Sequence, residues 1–233
     1  MQQVAKLCGF RSLHRPRLSR GLVGCWLTDD SDPANAPDHS GLLNVGTIMG
    51  ASWVAGKLGR ALSFDGTDDF VNCGAGSSLN FGAGDFSIAV WFKTSLAGWF
   101  VNKGDEVLTP YFRLYNRTSD PFVRFGISDH TTTIQTTSES VDPRDGAYHF
   151  AVGVRSGNSV LLFIDGVLKQ SVSGATGISI TNTGNLRIGS QYANSIGTNY
   201  YSGILDDVRI WNRALSTSEV KDLYKSRRIQ YGG

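Results

Sequence analysis

Ser202-Gly-Ile-Leu-Asp-Asp-Val-Arg-Ile-Trp-Asn-Arg-Ala-Leu-Ser216, continuing to Glu219, decides how this chain is read. Alternation makes it a strand, with Ile204, Val208 and Ile210 on one face and Leu205, Arg209 and Trp211 on the other. On that phase Asp206 shares a face with apolar side chains, where a carboxylate is costly unless it is paired or bound to a metal. Ser216-Thr-Ser-Glu219 then has the spacing of a capping box, so a helix starts directly after the strand.

Upstream, Ser159-Val-Leu-Leu-Phe-Ile-Asp-Gly-Val-Leu-Lys-Gln170 is two apolar runs joined by Asp165-Gly166. Asp-Gly takes the positive φ angles of a type I′ turn, whose twist matches its flanking strands, and this predicts a β-hairpin. Further strands are predicted at Leu22 to Leu27, Ala61 to Phe64, Phe70 to Cys73, Phe86 to Phe92, Trp99 to Asn102, Tyr111 to Tyr115, Phe122 to Ile127, Thr132 to Thr136 and Leu186 to Gly189. Thr28 to Gly50, with Pro33 and Pro37, reads as a long polar loop. With 28 glycines in 233 residues and 11% aromatics, the composition is that of an all-β chain of one domain. The short C-terminal helix is the exception. Asp65, Asp68 and Asp69 read as turn formers between two strands.

Charge divides the chain differently. Lys6, Arg11, Arg15, Arg17 and Arg20 stand in residues 1–20 without an acid, and the body is correspondingly acidic, since the whole carries +2. The reading is a basic arm over 1–20, a sandwich over 21–225 and a basic tail over 226–233. Twenty residues with few apolar groups cannot make a core, so an ordered arm needs a surface to dock on. The first twenty residues hold no apolar stretch of signal-peptide length, and no transmembrane run follows. Three cysteines, Cys8, Cys25 and Cys73, do not make a disulfide framework by spacing, and Cys25 and Cys73 read as small buried residues.

In this order the segments resemble the laminin-G-like jelly rolls of the concanavalin A-like lectin/glucanase superfamily. The matching stretches are Gly21 to Trp26, Ala61 to Val71, Asp85 to Trp91, Tyr148 to Val152, Leu162 to Val167 and Ser202 to Ser216, spanning about residues 21–225. The resemblance implies an antiparallel two-sheet jelly-roll β-sandwich. It also implies a structural calcium joining Asp206 to Asp38 of the loop Pro37-Asp-His-Ser-Gly41, although Leu42 to Gly46 depart from the family's Asn/His-rich continuation. The other reading of Asp206 is a carboxylate hydrogen-bonded to loop N–H groups.

A superfold of this kind hosts many functions, so function is argued from sites. The glucanase relatives carry a Glu-x-Asp-x-x-Glu pattern for their two catalytic carboxyls. Here that pattern is absent, and the three glutamates, Glu106, Glu139 and Glu219, lie far apart. His14, His39, His130 and His149 show no metal spacing, no Gly-x-Ser-x-Gly elbow or phosphate loop occurs, and the arm lacks the aromatics that stack nucleic-acid bases.

What remains is a non-catalytic binding or adhesion module. Aromatic platforms with amide donors point to glycans, best at Tyr192, Asn194, Asn199 and Tyr200 and next at Trp99 with Tyr111 and Tyr115. The basic arm, through Arg11, Arg15, Arg17 and Arg20, suggests an accessory surface subunit of a large assembly such as a phage virion, held on a capsid or tail protein. The arm would then be removable without loss of the fold. The alternatives are an independent calcium-dependent lectin and, third, a glycoside hydrolase.

Overall fold

The computed structural model describes residues 16–26, 30–104, 109–117, 119–138, 142–191 and 200–226. Arg11, Arg15, Tyr192, Asn194 and Asn199 lie outside them. Short runs of β-branched and aromatic residues between Gly, Asn and Asp fold into β1 (Leu22–Trp26), β2 (Asn35–Ala36), β3 (Gly46–Met49), β4 (Ser52–Ala55), β5 (Arg60–Asp65), β6 (Phe70–Asn72), β7 (Phe86–Lys93) and β8 (Gly98–Lys103). They continue as β9 (Tyr111–Asn116), β10 (Val123–Ser128), β11 (Thr133–Thr137), β12 (His149–Ser156), β13 (Ser159–Ile164), β14 (Val167–Ser173), β15 (Leu186–Ile188) and β16 (Ser202–Trp211). A short helix α1 (Pro16–Ser19) precedes them and α2 (Thr217–Lys225) follows.

The strands form two antiparallel sheets. One runs β14-β13-β12-β7-β16-β5-β4, with β1 also paired to β16, and the other runs β11-β10-β9-β8-β15-β6-β3-β2. Their facing side chains, among them Trp26, Phe92, Phe100, Phe112 and Phe125, make the main core. Packing there is close: Phe86 lies 5.1 Å from Phe112 and 5.7 Å from Phe125, ring centre to ring centre. A Cβ on Gly153 would stand 2.3 Å from the Phe125 ring, which is why that strand carries glycine.

Local signals appear as their residues dictate. Ile164 pairs with Val167 across Asp165 and Gly166, whose φ angles of 52° and 77° make the two-residue hairpin turn. Ser216 Oγ accepts from Glu219 N while the Glu219 carboxylate accepts from Ser216 N, closing the capping box. Residues 28–50 differ from expectation: they contain β2, at the edge of the second sheet, and β3 beside it, both too short to carry an alternation long enough to read. Cys73 is a free, buried thiol, while Cys25 is disulfide-bonded, so Cys25 is more than a small core residue.

The phase of β16 is the largest correction. Leu205, Val208 and Ile210 all enter the main core, which strict alternation forbids. A bulge between Asp206 and Arg209, with Asp207 at φ 51°, inserts a residue and reverses the side-chain phase. Asp206 therefore points away from the main core.

Beyond the outer face of the first sheet is a second apolar layer, in which Trp91, Phe150, Phe163 and Trp211 meet Leu18, Val220 and Leu223. Leu18 is 2% exposed, so the residues from α1 onward pack on their own sandwich. Arg213 fastens them, its Nη2 donating to the Arg17 carbonyl and its Nε to the Arg20 carbonyl, each at 2.7 Å. The boundary that charge draws at residue 20 falls inside this packing.

Candidate functional site

Each strand of the second sheet buries one face, so alternate residues are delivered to the other. Between inward Phe112 and Leu114 stands Arg113, between Leu186 and Ile188 stands Arg187, and on either side of inward Val71 stand Phe70 and Asn72. Register then aligns them. Gln135 pairs with Gly126, Gly126 with Arg113, Arg113 with Asn102, Asn102 with Arg187, Arg187 with Asn72, Asn72 with Thr47, and Thr47 with Asn35. The result is a polar row crossing the outer face of all eight strands.

One end of this row is closed. Trp99 and Tyr115 stack at 4.3 Å, and the Arg113 guanidinium lies 5.2, 4.3 and 4.8 Å from the Trp99, Tyr111 and Tyr115 rings. Tyr115 Oη donates to Gln135 Oε1 at 2.6 Å. The structure thus unites Trp99, Tyr111 and Tyr115 as the sequence grouped them, but Trp99 is only 8% exposed and one of its ring faces is taken by Tyr115.

The other end is more open. Thr47 and Met49 are exposed, and Phe70, Asn72 and Tyr200 are half-buried. Phe70 and Tyr200 face each other at 6.4 Å, and the Arg187 guanidinium lies 5.5 Å from the Phe70 ring. Asn72 Oδ1 accepts from Gly74 N, which fixes its amide, and Asn102 Nδ2 donates to the carbonyls of Gly104 and Gln191. Burial lowers the Arg187 pKa from its ordinary value, with the nearby Tyr200 opposing. Of the residues read as glycan ligands, Tyr200 alone among those described lies here; Phe70, Asn72, Thr47 and Arg187 were missed. The signal was the spacing of Phe70 and Asn72, two apart and both outward, but their neighbour Arg187 is brought in by tertiary register alone.

The acidic candidates stand elsewhere. Asp38 Oδ1 accepts from Cys25 N and Ser40 N, and Oδ2 from Ser40 Oγ, Asn44 N and Asn44 Nδ2, at 2.9–3.2 Å. These are hydrogen donors, whereas calcium wants about six to eight oxygen ligands, so Asp38 as placed is a loop clamp that does not fit the ion. Asp206, fully buried, accepts from Leu58 N at 2.8 Å. Asp65, Asp68 and Asp69 instead bring one oxygen each within 4.8 Å of one another, the one such acidic, His or Cys trio among the described residues. Burial raises the Asp69 pKa, against the Asp65 N–H bond and with the charges of Asp65 and Asp68.

Comparison with known proteins agrees with this architecture. A laminin G family model, of the concanavalin A-like lectin/glucanases superfamily, matches residues 65–221. Adhesion G-protein coupled receptor V1 of Danio rerio is 28% identical over 151 residues, which are 60% of this chain and 2% of that receptor. The binding domain of Paraclostridial mosquitocidal protein 1 superposes with a TM-score of 0.71 at 16% identity, over 89% of this chain and 52% of that one. Domain 4 of AbnA, a GH43 extracellular arabinanase from Geobacillus stearothermophilus solved with arabinotriose, does so with a TM-score of 0.70 at 18% identity, over 88% and 98%. At these identities the structures share the fold. Among the described residues no helix is long and apolar enough to cross a membrane.

Proposed function

Because the chain belongs to the concanavalin A-like lectin/glucanase superfamily, we propose that it is a non-catalytic glycan-binding or adhesion module whose ligand lies on the outer face of β15, β6 and β3. The observation that carries this is the Phe70–Tyr200 pair beside Asn72 and Thr47 on one accessible end of the polar row. Aromatic faces take the apolar face of a sugar ring, and amides and hydroxyls take its hydroxyl groups. A domain of the same fold was solved with arabinotriose, which supports the class of ligand. The row from Asn35 to Gln135 contains no carboxylate, and glycoside hydrolysis needs two, about 5–9.5 Å apart. Glycan-array binding, followed by calorimetry, tests the reading: Phe70→Ala and Tyr200→Ala should each weaken binding at least tenfold, about one stacking contact's worth. Unchanged affinity in both would sink it.

Two finer readings go with it. An accessory subunit on a virion or other extracellular surface, anchored by its basic arm, is favoured by the five positive charges of residues 1–20. Arg17 and Arg20 are tied to their own domain through their carbonyls, so the charges that test this reading without disturbing that tie are Lys6, Arg11 and Arg15. Replacing all three with Gln should abolish incorporation, and normal incorporation would end this reading. A calcium-dependent lectin is favoured by the Asp65, Asp68 and Asp69 oxygens. Glycan binding that survives chelation would end that one.

A further inference from the structure

Three buried arginines among the described residues are supplied with acceptors, although Arg155 Nε has none. Arg124 makes two bonds to the Asp120 carboxylate at 2.6 and 2.7 Å, Arg209 one to Asp207 at 2.7 Å, and Arg155 bonds the Gly82 and Ala175 carbonyls. Arg187 breaks the pattern. It is 7% exposed, and its Nε and Nη1 are buried without a hydrogen-bond partner. Ser190 Oγ, three residues on, is also buried and unpartnered.

An unpaired guanidinium is costly to bury, and the Phe70 face 5.5 Å away offsets only part of that cost. The fold nevertheless holds it in place. Leu186 and Ile188 anchor its strand in the core, and Asn102 and Asn72 stand on either side of it in the row. Both flanking residues are neutral amides, so neither competes for its charge. Nε and Nη1 each form an edge of the planar guanidinium with Nη2, and either edge matches the two oxygens of a carboxylate or sulfate.

We propose that Arg187 is the receptor for an oxyanion on the ligand, so that the glycan bound at Phe70 and Tyr200 is an acidic one bearing a carboxylate or a sulfate ester. This rests on the glycan-binding reading but goes beyond it: a neutral glycan satisfies the aromatic pair and leaves Arg187 unpaired.

The test uses matched probes on the full chain. Trigalacturonate is compared with its methyl ester, and a κ-carrageenan tetrasaccharide with its desulfated form, by calorimetry at low salt. One acidic member should bind about tenfold to a hundredfold tighter than its neutral partner, the worth of a charge-assisted pair, and Arg187→Gln should erase the difference between the two members. The pair that discriminates tells carboxylate from sulfate. Equal affinities within both pairs overturn the proposal and leave the glycan reading standing. Binding by none of the four, together with equal thermal shifts of wild type and Arg187→Met in formate and in inorganic sulfate, overturns both. Without ligand, Arg187→Met should melt no lower than wild type, because it removes an unpaired buried charge and keeps the apolar stem. A lower melting temperature would mark Arg187 as a fold-holding residue and overturn the assignment.

Discussion

Trp211 Nε1 donates to the Leu18 carbonyl at 2.7 Å, joining the last strand of the sandwich to the segment that enters it. Arg213 reinforces the join with its bonds to the Arg17 and Arg20 carbonyls and with two bonds to the Glu219 carboxylate at 2.8 and 3.0 Å. The arm is therefore not removable as charge alone suggests. Deleting residues 1–20 should destabilise the domain, because Leu18 leaves the second apolar layer and Trp211 loses its acceptor. Arg213→Ala should cost about 2–4 kcal/mol in urea unfolding, the sum of several bonds made by a charged group. A loss under about 0.5 kcal/mol, the usual surface value, would show the join to be superficial.

Asp206 and Leu58 form the second tie to test. The carboxylate is fully buried and holds the turn at residues 56–58, and a Cβ on Gly56 would stand 2.6 Å from Asp206 Oδ2. Asp206→Ala leaves the Leu58 N–H buried without its acceptor and should cost about 1–3 kcal/mol. Glycan affinity should be unchanged, since the residue belongs to the first sheet and the ligand face to the second. Melting curves and calorimetry on the same sample separate the two effects; lost affinity with unchanged melting would contradict the assignment.

These two ties show what was readable and what was not. The hairpin at Asp165-Gly166 and the box at Ser216 to Glu219 are contained in a few consecutive residues, where turn and cap chemistry act locally. The bulge at Asp206 and Asp207 is equally local, yet the same letters fit an unbroken strand, and the core decides between the two by requiring Leu205 and Val208 together. The polar row is less legible still. Arg113 and Arg187 are 74 residues apart in sequence, and they share a row only because Asn102 pairs with both. Family resemblance supplied the sandwich, while the position of Arg187 follows from register.

Lys103 gives a pH-dependent signature at the rim of the core. Its buried ammonium donates to Asn182 Oδ1, the Asn182 carbonyl and Asn80 Oδ1 at 2.9, 3.1 and 3.4 Å, with no carboxylate in the set. Burial lowers its pKa to about 8. The unfolded chain, near the ordinary value of about 10.4, binds the proton more tightly, so Lys103 opposes folding at neutral pH and this penalty fades as pH rises from about 8 to about 10. Wild type should gain stability over that window relative to Lys103→Met. Parallel profiles for the two proteins in chemical denaturation would refute the assignment.

His149 titrates with the opposite sign. Its Nδ1 lies 2.7 Å from Asp165 Oδ2 and its Nε2 3.2 Å from Asp145 Oδ1, so both ring nitrogens face carboxylates. The Asp165 bond is the largest cause of a raised pKa, burial opposes it, and the Asp165 charge and the Asp145 bond add to it. Asp165 is also the first hairpin-turn residue, and its Oδ1 accepts from Phe150 N at 2.8 Å, so the ion pair braces the turn against the start of β12. A histidine whose folded pKa exceeds its unfolded value stabilises fully below the unfolded value, about 6.5, and the contribution is lost as pH rises through the folded value. The melting temperature of wild type relative to His149→Gln should therefore be higher at about pH 5.5 than at about pH 8.5, by about 2–4 °C for a contribution near 1 kcal/mol. Asp165→Asn should remove most of that difference and Asp145→Asn less, because the order of the two bonds follows their distances. A difference that is flat with pH, or that grows toward high pH, would show that the imidazole is held neutral between its two carboxylates.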